Sequence, residues 1–242
     1  MLNDLKKNYK SITGENLIIT TECGGDAIEF DGWLRCNENG FKSENNKVRS
    51  VIFSGYNLNY GSQGLTNKSY EFDNWECYSV INLFATTLTK GYVLGFEGLW
   101  KPVFWDLKDI SKYTKDAVYA RESAKEYFNF GEMVRDVNIT SEIPKIHVYW
   151  SHFTYEHEVD ADTIKTCSFN YKGKTMVCFT NAGKNTSTIE WNAKPEDLYL
   201  KKKGSYKISQ IYPEKKIIKN RTKNIEGKTE IAPLETIILI IE

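Results

Sequence analysis

A compact β-branched run, Leu17-Ile-Ile-Thr-Thr21, breaks off abruptly into the Gly-rich acidic stretch Glu22-Cys-Gly-Gly-Asp26. Ahead of it, Leu2, Leu5 and Tyr9 stand at helical spacing, which predicts the last turns of a short amphipathic helix over Leu2 to Tyr9. The polar stretch Ser11 to Asn16, containing Gly14, reads as the connection. Helix, short loop, apolar strand and Gly-rich acidic loop make the αβ-loop unit of a parallel barrel or of a doubly wound sheet. A single unit of this kind cannot stand alone, because a parallel strand needs neighbours on both sides and helices over its faces. The chain is therefore expected to begin in the middle of a fold.

Ile28 to Gly64 is read as loop-rich, with short apolar pieces such as Val51-Ile-Phe53 among Gly, Asn and Ser. Trp75 to Leu88 places Tyr78, Ile81, Phe84 or Ala85, and Leu88 on one face and is followed by Gly91, which predicts a helix with a glycine cap. A second helix is expected over Lys112 to Phe130, with Val118, Ala124, Tyr127 and Phe128 as its apolar stripe, Glu122 and Lys125 paired on its surface, and Gly131 as its stop.

Beyond Gly131 the texture changes. Short alternating segments are predicted as strands at Lys145 to Trp150, Ile164 to Tyr171, Lys174 to Thr180, Ser187 to Trp191, Ser205 to Tyr212 and Glu235 to Ile241. Turn formers such as Lys172-Gly173, Asn181-Ala-Gly183 and Lys203-Gly204 separate them, the spacing of an antiparallel sandwich. Period-2 alternation is expected to set Cys167, Phe169, Met176, Cys178 and the row Ile237, Leu239, Ile241 on one core-facing side. The boundary between the two textures falls between Gly131 and Glu142. The basic stretches Lys201 to Lys203 and Lys215 to Lys219 read as solvated edges that discourage edge-to-edge pairing, with an anion-binding patch as the alternative.

With Lys and Arg balancing Asp and Glu, the 242-residue chain has zero formal net charge, so no global field draws it to nucleic acid or an anionic membrane. No apolar run is long enough to span a bilayer, and the polar start Met1 to Lys7 has no signal-peptide core. Cys23, Cys36, Cys77, Cys167 and Cys178 are odd in number and contain no close pair, which predicts reduced thiols and favours a cytoplasmic location. Aromatic residues make up 14% of the chain, including six Trp and fifteen Tyr, suiting both β-rich cores and the stacking of flat rings on sugars.

Glu22 is the foremost candidate for chemistry, because a carboxylate at the C-terminal end of a parallel strand sits where barrel enzymes gather catalytic groups. The same loop adds Asp26, Glu29, Asp31 and Trp33. Hydrolysis of a glycosidic bond needs two carboxyl groups, one protonating the leaving oxygen and one acting as nucleophile or base. The competing readings are a turn-capping surface carboxylate for Glu22 and an Asp-Gly turn for Asp31. Trp100 and Trp105 in Gly98-Leu-Trp-Lys-Pro-Val-Phe-Trp105 offer either a stacking platform or packing beneath a loop. His147, His152 and His157 recur at fives, which alternates faces on a strand, so no metal site is assigned and no cofactor is expected. Nucleophile-elbow, P-loop and dinucleotide fingerprints are absent.

Ile18-Ile-Thr-Thr-Glu-Cys23, Phe30-Asp-Gly-Trp-Leu34, Leu83-Phe-Ala-Thr-Thr-Leu88 with Gly91-Tyr-Val-Leu94, Glu126-Tyr-Phe-Asn-Phe-Gly-Glu-Met133 and Ile231-Ala-Pro-Leu-Glu-Thr-Ile-Ile-Leu239 follow one another in a telling order. In that order the chain resembles the C-terminal half of bacterial glycoside-hydrolase-like proteins, many of them in a domain family of unknown function. The resemblance implies an α+β chain made of the terminal portion of a (β/α)8 barrel followed by an antiparallel β-sandwich. The expected parts are residues 1–132 for the barrel portion and 133–242 for the sandwich. It further implies that Glu22 follows a late barrel strand, that Asp31 lies on the loop after it, and that another essential carboxylate comes from a middle strand upstream. The expected function is action on O-glycosidic bonds in an oligo- or polysaccharide, with Glu22 and Asp31 catalytic and Asp26, Trp33, Trp100 and Trp105 binding substrate. Three sources of the missing strands stay open: a split or truncated gene, an upstream half of the barrel on another chain as completing partner, or none at all, the product being a remnant. The alternatives are a non-catalytic carbohydrate-binding module and a purely structural sandwich.

Overall fold

The computed structural model describes residues 2–15, 21–22, 34–36, 47, 50–51, 54, 59–64, 74–97, 108–152, 155–201 and 204–242. Helix α1 (Leu2–Thr13) runs four residues beyond the expected end at Tyr9. The Ser11 and Thr13 hydroxyls donate back to the Asn8 and Tyr9 carbonyls, and Gly14, at φ 75°, ends the helix.

Strands β1 (Thr21–Glu22), β2 (Leu34–Cys36) and β3 (Asn59–Gly64) are joined by β4 (Val93–Glu97) in a four-stranded sheet. The spatial order is the chain order and every neighbouring pair is parallel. The first apolar run has a parallel neighbour in β2 on one side, and among the described residues none on the other; residues 17–20 of that run lie outside the described residues. Strands β2 and β3 correct the reading of Ile28 to Gly64 as loop. Asn59-Tyr-Gly-Ser-Gln-Gly64 has no apolar alternation to betray it, and it is a strand because β2 and β4 supply backbone partners on both sides.

Helix α2 (Asn74–Thr89) matches its expected span and buries Ile81, Phe84, Ala85 and Leu88. Its end is a Schellman motif: the Tyr92 N–H donates to the Thr87 carbonyl (3.2 Å), and the Gly91 N–H donates to that of Leu88 (2.9 Å). Gly91 takes φ 77° and lies so close to the Phe169 ring that a Cβ there would stand 2.5 Å from Cζ.

The single helix expected over Lys112 to Phe130 is two, α3 (Lys108–Ser123) and α4 (Lys125–Phe130). The break is at Ala124, with φ −123° and ψ 24°, next to Ser123, whose hydroxyl donates to the Ala120 carbonyl (2.7 Å). Val118 is 48% exposed, which removes it from the expected stripe. The buried face is instead Ile110, Tyr113, Ala117, Ala120 and Arg121, a three-and-four spacing that starts earlier in the chain. Ala124 and Phe128 are buried as expected, and Lys125 pairs with Glu122 at 2.7 Å.

The remainder is antiparallel. Strands β5 (Glu132–Val134), β9 (Ile164–Tyr171), β10 (Lys174–Asn181), β12 (Tyr206–Tyr212), β13 (Lys216–Thr222) and β15 (Thr236–Ile241) form a six-stranded sheet ordered β13-β12-β15-β10-β9-β5. A three-stranded sheet, ordered β14-β11-β6, comprises β6 (Asn138–Ile139), β11 (Ser187–Ala193) and β14 (Ile225–Ile231). Strands β7 (Lys145–His152) and β8 (Tyr155–Asp162) make a separate hairpin sheet. Of these, β5, β6, β8, β13 and β14 are additions to the expected set. The basic run at β13 is an edge strand with Ile217 and Ile218 exposed, in keeping with the solvated-edge reading.

The central strands of the large sheet are buried on both faces. One face gives Cys167, Phe169, Met176, Cys178 and Ile238 to a core shared with α2, α3 and α4. The other gives Val177, Phe179, Ile237, Leu239 and Ile241 to a core shared with Ile189, Trp191, Ile225 and Ile231 of the small sheet. The expectation that Cys167, Met176 and the Ile237 row share one side is therefore corrected. Register is the reason: Cys178 stands opposite Ile238 and Val177 opposite Leu239, so the odd positions of β15 point away from Cys178. Cys77, Cys167 and Cys178 are free, buried thiols. Among the described residues no helix is long and apolar enough to cross a membrane.

Candidate functional site

In a parallel sheet all strand ends of one kind gather at one edge, so residues far apart in sequence can share a site there. One row of register partners runs Glu22, Arg35, Tyr60, Val93 across the four strands. The carboxyl-terminal residues of β1, β2, β3 and β4 are Glu22, Cys36, Gly64 and Glu97. Glu22 is thus the last residue of an edge strand, one position later than the expected strand end at Thr21. Asp26, Asp31 and Trp33 follow β1 in sequence, and Trp100 and Trp105 follow β4; all five lie outside the described residues. The chain leaves β1 and β4 at the same end of the sheet, from strands about 14 Å apart, three strand spacings.

The sequence reading missed Glu97. It ends β4 opposite Gly64 and is followed by Gly98, repeating the pattern of Glu22 with its nearby glycines. A strand-end acid before glycine was the available signal, and it went unread because Val93 to Glu97 was not recognised as a strand.

The re-entry of the chain after residue 107 is fixed by a half-buried tie. The Tyr78 hydroxyl of α2 donates to the Asp109 carboxylate at the start of α3 (2.9 Å), and the Lys184 ammonium sits 4.8 Å from the Tyr78 ring centroid. Burial and the Asp109 bond both raise the Tyr78 phenol, and burial, with Asp109 adding, pushes the neighbouring Cys77 thiol up to about 11. Both groups stay neutral at pH 7. Further from the sheet edge, the Tyr113 hydroxyl is bonded to Thr180 (2.9 Å) and Thr180 to Thr236 (3.0 Å), joining α3 to the large sheet.

His147 stands beside Asp160 (3.1 Å) and Glu158 (3.7 Å) on the exposed hairpin. Among the described residues no group of three or more His, Cys, Asp or Glu side chains is arranged to hold a metal ion.

No family model and no curated protein matches the chain. Solved structures do. It is similar to an α-amylase from Anoxybacillus, described with a new glycosyl hydrolase subclass, at 10% identity and a TM-score of 0.51, over 99% of this chain and 55% of the amylase. It also matches a noncanonic maltogenic α-amylase, AmyB, from Thermotoga neapolitana (13% identity, TM-score 0.48, 98% and 57% covered). A GH27 β-L-arabinopyranosidase from Geobacillus stearothermophilus matches too (11% identity, TM-score 0.45, 100% and 53% covered). The chain thus spans about half the length of these structures. At such identity the likeness is one of fold alone, and it rests on the Anoxybacillus enzyme: a parallel sheet with helices, followed by antiparallel sheets, is arranged as in part of a glycoside hydrolase.

Proposed function

We propose that the chain is the C-terminal part of a glycoside-hydrolase-like protein that acts on O-glycosidic bonds in an oligo- or polysaccharide. In this reading residues 1–132 are the end of a (β/α)8 barrel and residues 133–242 a β-sandwich packed beside it. The observation that carries the proposal is the four-stranded parallel sheet in chain order with Glu22 at the carboxyl end of its first strand. The fold likeness to the Anoxybacillus α-amylase supports it.

Glu22 serves as the acid/base or sugar-hydroxyl contact and Asp31 as the supporting carboxylate. A protonated carboxyl delivers its proton to the leaving glycosidic oxygen, while an ionised one attacks the anomeric carbon or activates water. Asp26 accepts hydrogen bonds from sugar hydroxyls, and Trp33, Trp100 and Trp105 stack on sugar faces. A polypeptide supplying the earlier strands would complete the barrel.

The test is hydrolysis of a panel of aryl glycosides by the wild type and by Glu22→Gln. The proposal expects a loss of at least about a hundredfold, the scale of a removed general acid. Equal rates in the two proteins would take Glu22 out of the mechanism. The second reading, a non-catalytic sugar-binding module, is favoured by the tryptophans alone and expects glycan-array binding that disappears in Trp→Ala variants at 33, 100 and 105 while surviving Glu22→Gln.

A further inference from the structure

At the rim of the six-stranded sheet, beyond the ends of α3 and α4, one row of side chains crosses five strands on the helix-side face. Tyr171 ends β9, and Lys174 begins β10 directly opposite it. Glu242 follows β15 and exchanges both backbone hydrogen bonds with Lys207 of β12 (2.8 and 3.0 Å). Arg221 completes the row on β13, at the irregularity where Tyr206 pairs with Thr222 and Lys207 with Asn220. The extra residue of that bulge is Arg221 itself, at φ 65°.

The row has two chemically distinct ends. At the β9 end the Tyr171 ring meets Tyr127 edge-on (centroids 6.1 Å apart) and Phe130 (6.3 Å), both from α4, and Phe130 is 63% exposed. An aromatic ring left that open beside two others is a ready stacking surface. At the other end lies a cleft of about 320 Å³ in which Lys172, Lys174, Lys207 and Arg221 face the lone carboxylate of Glu242. Lys174 and Lys207 both grip that carboxylate, Lys207 at 3.1 Å, and hold it below the usual carboxylate range. Among the described residues the Arg221 guanidinium has no ion-pair or hydrogen-bond partner. Lys172 links the two ends, since it lines the cleft and its ammonium sits 4.8 Å from the Tyr171 ring centroid.

We propose that this rim is a second, non-catalytic binding site for an acidic oligosaccharide, with one sugar ring on Phe130 and Tyr171 and carboxylates of following sugars on Lys172, Lys207 and Arg221. Four cations against the Glu242 carboxylate in the cleft, with Glu126 of α4 acting on Lys172 from outside it, leave a positive excess that calls for an anionic ligand, and guanidinium is the group that matches a carboxylate in a fork. Four strand spacings separate β9 from β13, about 19 Å, so the ligand is a chain of sugars and not a single one. The sugar half of the proposal rests on the preceding reading of the chain as carbohydrate-active; the demand for an anion does not.

Isothermal titration of the full chain with tetragalacturonate, maltotetraose and polyglutamate tests it, with matched thermal unfolding of each variant to check its fold. Tetragalacturonate is expected to bind, more weakly as salt rises, and to bind at least about fivefold more weakly in Phe130→Ala and in Arg221→Gln. Maltotetraose is expected not to bind at this rim, so neither rim variant is expected to change any binding it shows. Tetragalacturonate binding indifferent to both rim variants would overturn the proposal, as would an equal loss of maltotetraose binding in those variants. Equal binding of polyglutamate with no effect of Phe130→Ala would reduce the rim to an anion patch and overturn it too. Failure of the aryl-glycoside and glycan-array tests with tetragalacturonate binding intact would end the preceding reading and not this one.

Discussion

Tyr212 donates its phenolic hydrogen to the Asp116 carboxylate across 2.7 Å, joining helix α3 to strand β12 of the large sheet. The contact lies where the helical layer meets the antiparallel part, and the two are one packed unit there: a single core takes residues from α2, α3 and α4 and from β9, β10 and β15. The helical layer is thereby braced by the antiparallel sheet.

Burial pushes Asp116 from its ordinary 3.8 up to about 6, with the Tyr212 bond pulling the other way. A folded value above the unfolded one means that unfolding releases a proton between about pH 4 and 6. The stability tied to the neutral carboxyl is full below about pH 4 and is lost as pH rises through about 6. Asp116→Asn, which cannot ionise, is expected to gain up to about 3 kcal/mol on the wild type between pH 4 and 7. Urea unfolding at a series of pH values checks it, and a pH-independent difference would assign the penalty elsewhere.

Gly91→Ala is expected to cost about 2–4 kcal/mol in urea unfolding. The left-handed backbone contributes about 1–2 of these and the clash with Phe169 most of the rest. Adding Phe169→Leu removes the clash but not the backbone term, so the double variant is expected to show a smaller penalty for the glycine change than the single one.

Lys47 donates to the Asp136 carboxylate and to the Thr166 carbonyl, both at 2.5 Å, and Asp136 is largely buried. Lys47→Met leaves that carboxylate with no cation and is expected to cost about 2–4 kcal/mol, since breaking one side of such a pair strands the other charge. Burial already raises Asp136 against the pull of Lys47, so the loss is expected to shrink as pH falls through the carboxylate range. Replacing Asp136 by Asn in the same background recovers part of it.

Asn181 closes the turn after β10 from inside. Its amide donates to the Ile231 (3.0 Å) and Asn185 (2.9 Å) carbonyls, and its oxygen accepts from the Gly183 N–H (2.8 Å). Asn181→Ala leaves buried backbone groups unpaired and is expected to cost about 2–3 kcal/mol by thermal or urea unfolding.

These residues also mark what the sequence discloses. Asn181-Ala-Gly183 is legible as a turn because its residue types are local turn formers, whereas the burial of Asn181 comes from β14, fifty residues away. The ends of β9 and β10 follow from alternation and the Lys172-Gly173 turn, but not which face meets which core. Both faces of β10 are buried, so apolarity along it carries no phase. Asn59 to Gly64 is invisible as a strand for the opposite reason, having no apolar pattern and owing its state to its neighbours. At the candidate site, a strand-end Glu22 is readable from the β-branched run before it. Glu97 is not, because Gly95 interrupts its strand and the Gly91 cap draws attention to the preceding helix.

Oligosaccharide recognition is proposed at the carboxyl ends of the parallel strands. Amide hydrogen exchange of the full chain, with and without a panel of oligosaccharides, tests it most directly. The account predicts that a recognised sugar slows exchange in the peptides spanning residues 21–36 and 93–107. Slowed exchange confined to the antiparallel strands, for every sugar that binds, would contradict it.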